Sequence, residues 1–285
     1  MFGTRWLLRR LNIYPNAYYN YLKDKKAEAR RTKTMVLRTI SELYHFHGGI
    51  PGYRMMTYLL AQKGINYSNQ TVFQYMHDLG LTSITRRKSR YKYTKGDAHK
   101  VFPNLLNQNF TAPAKNLIWC CDFTYLPMGN GAMRYNCSIL DLYDRSIIAT
   151  LNGDHIDADL AIQTLQKALT KEKPKRGLIF HTDQGSQFGA IAFMRFCSVN
   201  GVQQSMSRSG CPYDNAPMER FYNTFKCEYF SQHLFYDPIL VDAGVYNYVF
   251  NWYNTRRPHS YNDGLPPATA RKIIQNLTLW RYKNA

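Results

Sequence analysis

At about residue 113 the hydrophobic pattern of this 285-residue chain changes period, and that change restricts the folds open to it. Before it, apolar residues recur at helical spacing. Val36, Ile40 and Leu43 mark one face of a helix over 32–47, and Gly48, Gly49, Pro51 and Gly52 break the chain after it. A second helix is expected over about 53–63, ending at Gly64, and a third from about 69 to 79, ending at Gly80. After the change, LIWCCDFTYL (117–126) is rich in aromatic and β-favouring residues. RYNCSIL (134–140) and RSIIATL (145–151) complete a three-stranded meander.

Asp157 can cap a helix reaching about 171, with Ile162, Leu165 and Leu169 along one stripe. GLIFHT (177–182) reads as a short buried strand, 190–200 as a helix ending at Gly201, and VQQSM (202–206) as another strand. A helix over 214–232 carries Met218, Phe221, Tyr222, Phe225 and Tyr229 on its apolar side. A last helical pattern, about 238–255, is expected to lie outside the core. The order is three strands, helix, strand, helix, strand, helix. That is the order of an α/β domain of RNase H-like type, a mixed five-stranded sheet with helices, here preceded by an α-helical region. The expected division falls between residues 1–110 and 111–285.

Charge separates the same two parts. The chain has 37 Lys+Arg against 19 Asp+Glu, a net of +18 and a pI near 9.6. Residues 1–110 hold 19 of the basic and 5 of the acidic side chains, a net of +14; the remaining residues carry only +4. Such a field attracts polyanions, and neutralised phosphates would supply affinity. Two short helices joined by a tight turn, followed by Arg86, Arg87, Lys88 and Arg90, suggest a helix-turn-helix. A small helical bundle without groove contact, or a merely solubilising basic surface, would share these features. No run of about 18 apolar residues occurs, so no membrane span is expected. The opening MFGTRWLLRRLNIYP is broken by Arg9 and Arg10 and does not read as a secretory signal. Six cysteines without C-x-x-C spacing fit reduced thiols in a cytoplasm better than zinc or disulfides.

Three carboxylates stand where chemistry could use them. Asp122 lies on the first strand, with Trp119, Cys121 and Phe123 on the opposite face. Asp183 directly follows GLIFHT, at the carboxyl end of a strand, where open α/β sheets place ligands. Glu219 is in the first turn of the helix from Asp214, and Asn223 and Lys226 share roughly its face. Converging carboxylates can hold two divalent ions about 3.5–4 Å apart for phosphoryl transfer. Each has an ordinary reading as well: a strand aspartate can satisfy a turn, and a first-turn glutamate can complement a helix dipole. Asp141 and Asp144 are acidic alternatives whose better reading is capping or turns. His181 reads as a packed or hydrogen-bonded histidine near the site, and His259 as ordering the C-terminal turn. Arg256 and Arg257 can contact phosphate or pair with a surface acid.

The strings around these acids carry a resemblance. Asp183 and Glu219, with 35 residues between them, sit in HTDQGSQF (181–188) and DNAPMERFYNTFKCE (214–228); Asp122 sits in WCCDFTYL (119–126). Together they resemble the integrase-core DDE transposases of bacterial insertion sequences, and more narrowly the second-reading-frame (OrfB) product of the IS-three family. YNTRRPHS (253–260) with LPPATA (265–270) is similar to that family's C-terminal signature. GGIPGYRMMTYLLAQKGINYSNQTVFQYMHDLGL (48–81) and WLLRRLNIYPNAYYNYL (6–22) resemble its helix-turn-helix and opening segments. The likeness covers nearly the whole chain. Tyr261-Asn262 depart from it, standing where a Leu-Gly pair is common.

The resemblance implies that 111–285 is an RNase H-like integrase catalytic domain with a C-terminal helical extension. It implies Asp122, Asp183 and Glu219 as ligands of two divalent ions, Mg or Mn, and Lys226 and Asn215 as DNA-contacting or site-shaping residues. It implies metal-dependent cleavage and strand transfer on double-stranded DNA at insertion-sequence ends. A first-frame OrfA protein, or a frameshift fusion to it, is the expected partner, and a homo-oligomer on DNA the expected assembly. Other classes remain to be separated. A tyrosine recombinase could draw on the 23 tyrosines but leaves the carboxylate spacing unexplained. A non-transposing nuclease would share the core, and a DNA-binding regulator would not need the three acids.

Overall fold

The computed structural model describes residues 3–23, 25–84 and 100–273. The chain forms two compact units, residues 1–84 and 85–285. The basic run Arg86, Arg87, Lys88 and Arg90 lies outside the described residues.

The first unit comprises α1 (Thr4–Arg10), α2 (Pro15–Leu22), α3 (Lys25–Phe46), α4 (Tyr53–Gln62) and α5 (Asn69–Asp78). α3 starts earlier than its apolar stripe because the preceding Lys, Ala, Glu and Arg residues are good helix formers. Val36, Ile40 and Leu43 pack with Met56, Leu60, Val72 and Met76 into one small core. The Ser68 hydroxyl accepts a bond from the Thr71 amide at 3.1 Å and starts α5. Gly64 and Gly80, at φ +77° and +67°, take the left-handed conformation that closes α4 and α5.

The second unit is built on a five-stranded sheet ordered β3-β2-β1-β4-β5. β1 (Ile118–Pro127), β2 (Met133–Asp141) and β3 (Ile147–Gly153) form the antiparallel meander. β4 (Ile179–Thr182) and β5 (Gln203–Met206) add on in parallel. α6 (Ala158–Glu172), the single turn α7 (Ser186–Gly189) and α8 (Ile191–Val199) cover one face. As expected, Asp157 caps α6, its carboxylate accepting from the Leu160 amide at 2.8 Å. The buried stripe runs through Leu160, Ala161, Thr164, Leu165 and Ala168, so Ile162 and Leu169 flank it rather than centre it.

α9 (Ala216–Glu228) covers the other face. The single helix expected over 214–232 is divided: a 3₁₀ turn at Pro212–Asn215 precedes α9, and another at Phe230–Gln232 follows it. α10 (Pro238–Tyr246) continues as a π-helical stretch, Asn247–Tyr253. These residues do not stand apart from the core. Val241, Val245, Tyr248, Val249 and Tyr253 are buried with Cys120, Leu126, Leu140, Phe221 and Phe225. The reason is area: α9 alone leaves apolar sheet surface on this side, and the extension removes it from water.

Candidate active site

Alternation along β1 puts Trp119, Cys121 and Phe123 under α6 and α8, and Cys120 and Leu126 under α9. Asp122 and Thr124 share the α9 face. Opposite them in register stand Ser138 and Asn136 on β2, and opposite those Thr150 and Asn152 on β3. A polar stripe thus crosses three strands on an otherwise apolar face. Asn136 links it, its amide donating to the Thr150 hydroxyl at 2.7 Å and to Asn152 Oδ1 at 2.7 Å. Ser138 donates to Asn136 Oδ1 at 2.7 Å.

On the other side, β1 pairs with β4 as Cys120↔His181. Carried two residues further, that register sets Asp183 beside Asp122 at the carboxyl end of β4. One Asp183 oxygen accepts from the Gly185 amide at 3.0 Å, and one Asp122 oxygen from the Phe123 amide at 2.7 Å. Both aspartates are half-buried, while Glu219 in the first turn of α9 is exposed. Two hydrogen bonds fasten α9 to β1 around that glutamate. Asn215 Nδ2 donates to the Cys121 carbonyl at 3.2 Å, and the Tyr222 hydroxyl donates to the Asp122 carbonyl at 2.8 Å.

Burial pushes the Asp122 carboxyl well above the usual carboxylate range, and the charges of Asp183 and Glu219 push it the same way. The Phe123 amide and the Lys226 ammonium pull it back without reversing it. The three acids therefore share one electrostatic neighbourhood with Lys226. Among the described residues no three His, Cys, Asp or Glu side chains are drawn together closely enough to enclose an ion. Glu219 lies on the solvent side of the three. Asn223 and Lys226, further along α9, are half-buried. Asn215 is buried against β1, and its Oδ1 has no partner among the described residues. Its amide meets backbone, so it shapes the site from within rather than from the surface.

His181 is fully enclosed. Its Nε2 lies 2.8 Å from the Asp214 carbonyl and its Nδ1 2.8 Å from the Ser205 hydroxyl. A carbonyl only accepts, so Nε2 carries the proton and Nδ1 accepts from Ser205. Burial holds the imidazole below its ordinary pKa. This is the packed histidine expected from the sequence. Asp214 itself was not singled out there. Its buried carboxylate accepts from Arg208 Nε at 2.9 Å, Gln108 at 2.9 Å and Asn104 at 2.9 Å. The Arg208 side chain above all keeps it ionised far below the usual range. The turn that launches α9 is therefore anchored.

Asp141 and Asp144 have the turn roles expected of them, and a further partner. Asp141 accepts from the Asn116 and Tyr143 amides, and Asp144 from the Ser146 amide. Arg271 reaches both at 2.9 and 2.6 Å and also Glu172 at 2.6 Å. Arg257 is turned inward, gripping Glu228 through Nη2 at 2.7 Å and Nε at 2.9 Å. That carboxylate pairing, not a phosphate-facing position, is where the fold places it. Arg256 is exposed. His259 Nδ1 accepts from the Tyr261 amide at 3.2 Å and orders the turn at Ser260–Asn262, as expected.

Comparison with known proteins places this architecture. Two integrase core domain models match residues 112–212 and 200–267, and an HTH-like domain model matches 31–89. The chain is 36% identical over 236 residues to the transposase for insertion sequence element IS904 of Lactococcus lactis, covering 82% of this chain and 92% of that one. It is 30% identical to the IS600 uncharacterized 31 kDa protein of Shigella sonnei, over 90% and 94% of the two chains. It is 33% identical to the InsF transposase for IS3A of Escherichia coli, over 73% and 72%. Among solved structures, the HTLV-2 integrase catalytic core domain in complex with magnesium aligns at a TM-score of 0.44 and 15% identity, covering 56% of this chain and 98% of that one. The class is that of integrase-core enzymes, which cleave DNA and transfer its strands. Within it, the chain belongs to the IS-three family of insertion-sequence transposases.

Proposed function

We propose that Asp122, Asp183 and Glu219 form the centre at which this transposase cuts and joins DNA at insertion-sequence ends. One observation carries the reading: Asp122 lies in a polar stripe on an apolar face, where burial first and then the charges of Asp183 and Glu219 raise its carboxyl. Carboxylates that oppose one another in this way fit divalent cations, because a doubly positive ion relieves the repulsion and takes hard oxygen donors. Asp122, Asp183 and Glu219 would hold two such ions, Mg²⁺ or Mn²⁺. When bound, the ions supply activation of the attacking hydroxyl and charge stabilisation of the departing 3′ oxygen.

The chain's own residues do the rest by position. β1 holds Asp122, β4 leads directly into Asp183, and the Phe123 and Gly185 amides fix one oxygen of each. The attack on the phosphodiester is in line, by water at cleavage and by a 3′-hydroxyl at joining. No serine or tyrosine nucleophile is required. Lys226 and Asn223, further along α9 than Glu219, would contact the phosphate chain.

The first unit would grip duplex DNA, with the basic run at 86–90 extending that contact. Residues 1–84 are proposed as the DNA-binding division and 85–285, which includes Asn104 and Gln108 against Asp214, as the catalytic one. A homo-oligomer would bring two DNA ends together, and a first-frame OrfA protein or its fusion would help recognise them. The setting would be the bacterial cytoplasm, at the nucleoid during transposition. Among the described residues no helix is long and apolar enough to cross a membrane.

The test is strand cleavage and transfer on labelled element-end DNA with Mg²⁺ or Mn²⁺, with the chain alone and fused to its first-frame partner. Asp183→Asn and Glu219→Gln should abolish metal-dependent products while DNA binding survives. Substituted proteins that cut and join like wild type would place the site elsewhere. Cleavage without strand transfer would point to a nuclease.

A further inference from the structure

We propose that Tyr222 is a positioning residue, whose hydroxyl sets Glu219 against Asp122 by tying α9 to the backbone of the catalytic strand. This rests on the three-carboxylate reading above and adds a residue to it.

Asn215 ends the 3₁₀ turn and stands at the N-cap of α9, with Glu219 four residues on in its first turn and Tyr222 three further along the helix. The outer two are buried and bond to consecutive carbonyls of β1, those of Cys121 and Asp122. Glu219 is the position between the two fastenings. A helix held at two points one turn either side of a residue can neither roll nor slide there. The Tyr222 bond is made to Asp122 itself, so the element carrying one acid is referenced to the main chain of another.

The anchor is rigid in turn. Tyr222 Oη also lies 3.0 Å from Asn136 Oδ1 and 3.2 Å from the Asn136 carbonyl. Asn136 is braced by Thr150, Asn152 and Ser138. Asn152 reaches Asp242 on α10 at 2.9 Å, and Asp242 takes Arg134. The polar stripe thus runs from the catalytic strand to the C-terminal extension, and the Tyr222 hydroxyl stands between it and the Asp122 carbonyl, its nearest acceptor. A hydroxyl on the apolar side of a helix is costly to bury unless bonded. Phenylalanine would serve packing alone, as Phe221 and Phe225 do on the same helix. The hydroxyl is accounted for by what it touches.

The experiment compares Tyr222→Phe with Tyr248→Phe. Tyr248 is also a buried tyrosine of this core, and its hydroxyl bonds Glu228 at the far end of α9, 3.0 Å away. Both variants lose one buried hydroxyl from a tyrosine that bonds across to α9 or from it. The readouts are melting temperature, element-end DNA affinity, cleavage turnover, and the Mn²⁺ concentration giving half the maximal thermal shift of metal-free protein. Tyr222→Phe should lose turnover about 10- to 100-fold, as sub-ångström misplacement does. It should need several-fold more Mn²⁺, with DNA affinity unchanged. Tyr248→Phe should melt lower to a similar degree and keep turnover and Mn²⁺ response.

Wild-type turnover and Mn²⁺ response in Tyr222→Phe would overturn the proposal. Equal losses in the two variants would overturn it too, since the effect would then be general loosening. Glu219→Gln, run alongside, separates the two levels. If it abolishes cutting and Tyr222→Phe does not weaken it, only the positioning role fails. If Glu219→Gln cuts normally, the carboxylate site fails and the positioning role with it.

Discussion

The second unit contains two trios of acids on one sheet domain, and they have opposite fates. Asp141, Asp144 and Glu172 converge on Arg271, which bonds all three, while Asn116 donates to Asp141 and Glu172. Burial raises Asp141; at Glu172 burial pushes the same way, but Arg271, Asn116 and Lys171 together bring it below its usual range. Asp122, Asp183 and Glu219 are gathered from β1, the end of β4 and the start of α9, and two of them raise the third. The first trio is closed by the protein's own cation. The second has Lys226 in its field, which pulls Asp122 down without reversing the rise. Counting acids therefore does not find an active site; the groups they are bonded to do.

The largest difference between the trios should be catalytic. Asp183→Asn or Glu219→Gln should reduce strand cleavage by more than about a thousandfold, as losing one member of a catalytic unit does. Asp144→Asn should leave turnover per folded molecule close to wild type, measured after scaling to the folded fraction. Comparable losses at Asp144 would erase the distinction.

The next effect is on stability, and it reverses the order. Arg271→Met leaves buried carboxylates without their cation, so chemical denaturation should show a loss of about 3–5 kcal/mol. Lys226→Met, beside the second trio, should cost far less stability. If the two cost the same, Arg271 is not the lock described.

Asp122→Asn tests the sign of the imbalance. A carboxyl with its folded-state pKa raised above the unfolded value is penalised when ionised, so at neutral pH its charge costs stability. Removing that charge should raise the melting temperature in metal-free buffer by about 2–4 °C. A lower melting temperature would mean that the carboxylate is already well satisfied.

The smallest effect is on pH dependence. Burial first, then the charges of Arg257 and Arg145, lower the His259 pKa from 6.5 to about 4. A depressed histidine contributes stability that is present above the unfolded value and lost as pH falls towards the folded one. Melting temperature should therefore drop between about pH 6.5 and 4, and His259→Asn, which keeps a capping acceptor, should flatten that drop. An unchanged slope would assign the acid sensitivity to other groups.

Much of the fold was legible in the sequence because it rests on periodicity. Val36, Ile40 and Leu43, the alternation around Asp122 and the Asp157 cap are local signals, and the structure keeps each of them. The extension at 238–255 was expected beyond the RNase H-like order of strands and helices; a helical pattern does not say which surface it covers, and the fold packs it into the core on the α9 side of the sheet. The three acids were visible within a strand, just after a strand and in a first helical turn, but their mutual electrostatics needed the β1–β4 register and the docking of α9. Arg257 showed the limit of a motif. Its string is distinctive, yet only the fold brings Glu228 to it across 29 positions. A weaker signal did exist for the polar stripe. Asn136 and Ser138 alternate with Cys137 and Ile139, and Thr150 and Asn152 with Leu151.

The most direct test of the central claim is a thermal melt of the chain with increasing Mn²⁺, for wild type, Asp122→Asn and Asp144→Asn. The account predicts that Mn²⁺ raises the wild-type melting temperature. It predicts that Asp144→Asn melts lower yet gains as much from Mn²⁺, and that Asp122→Asn gains little. If Asp122→Asn gains as much from Mn²⁺ as wild type, the ions bind elsewhere and these three carboxylates are not the metal centre.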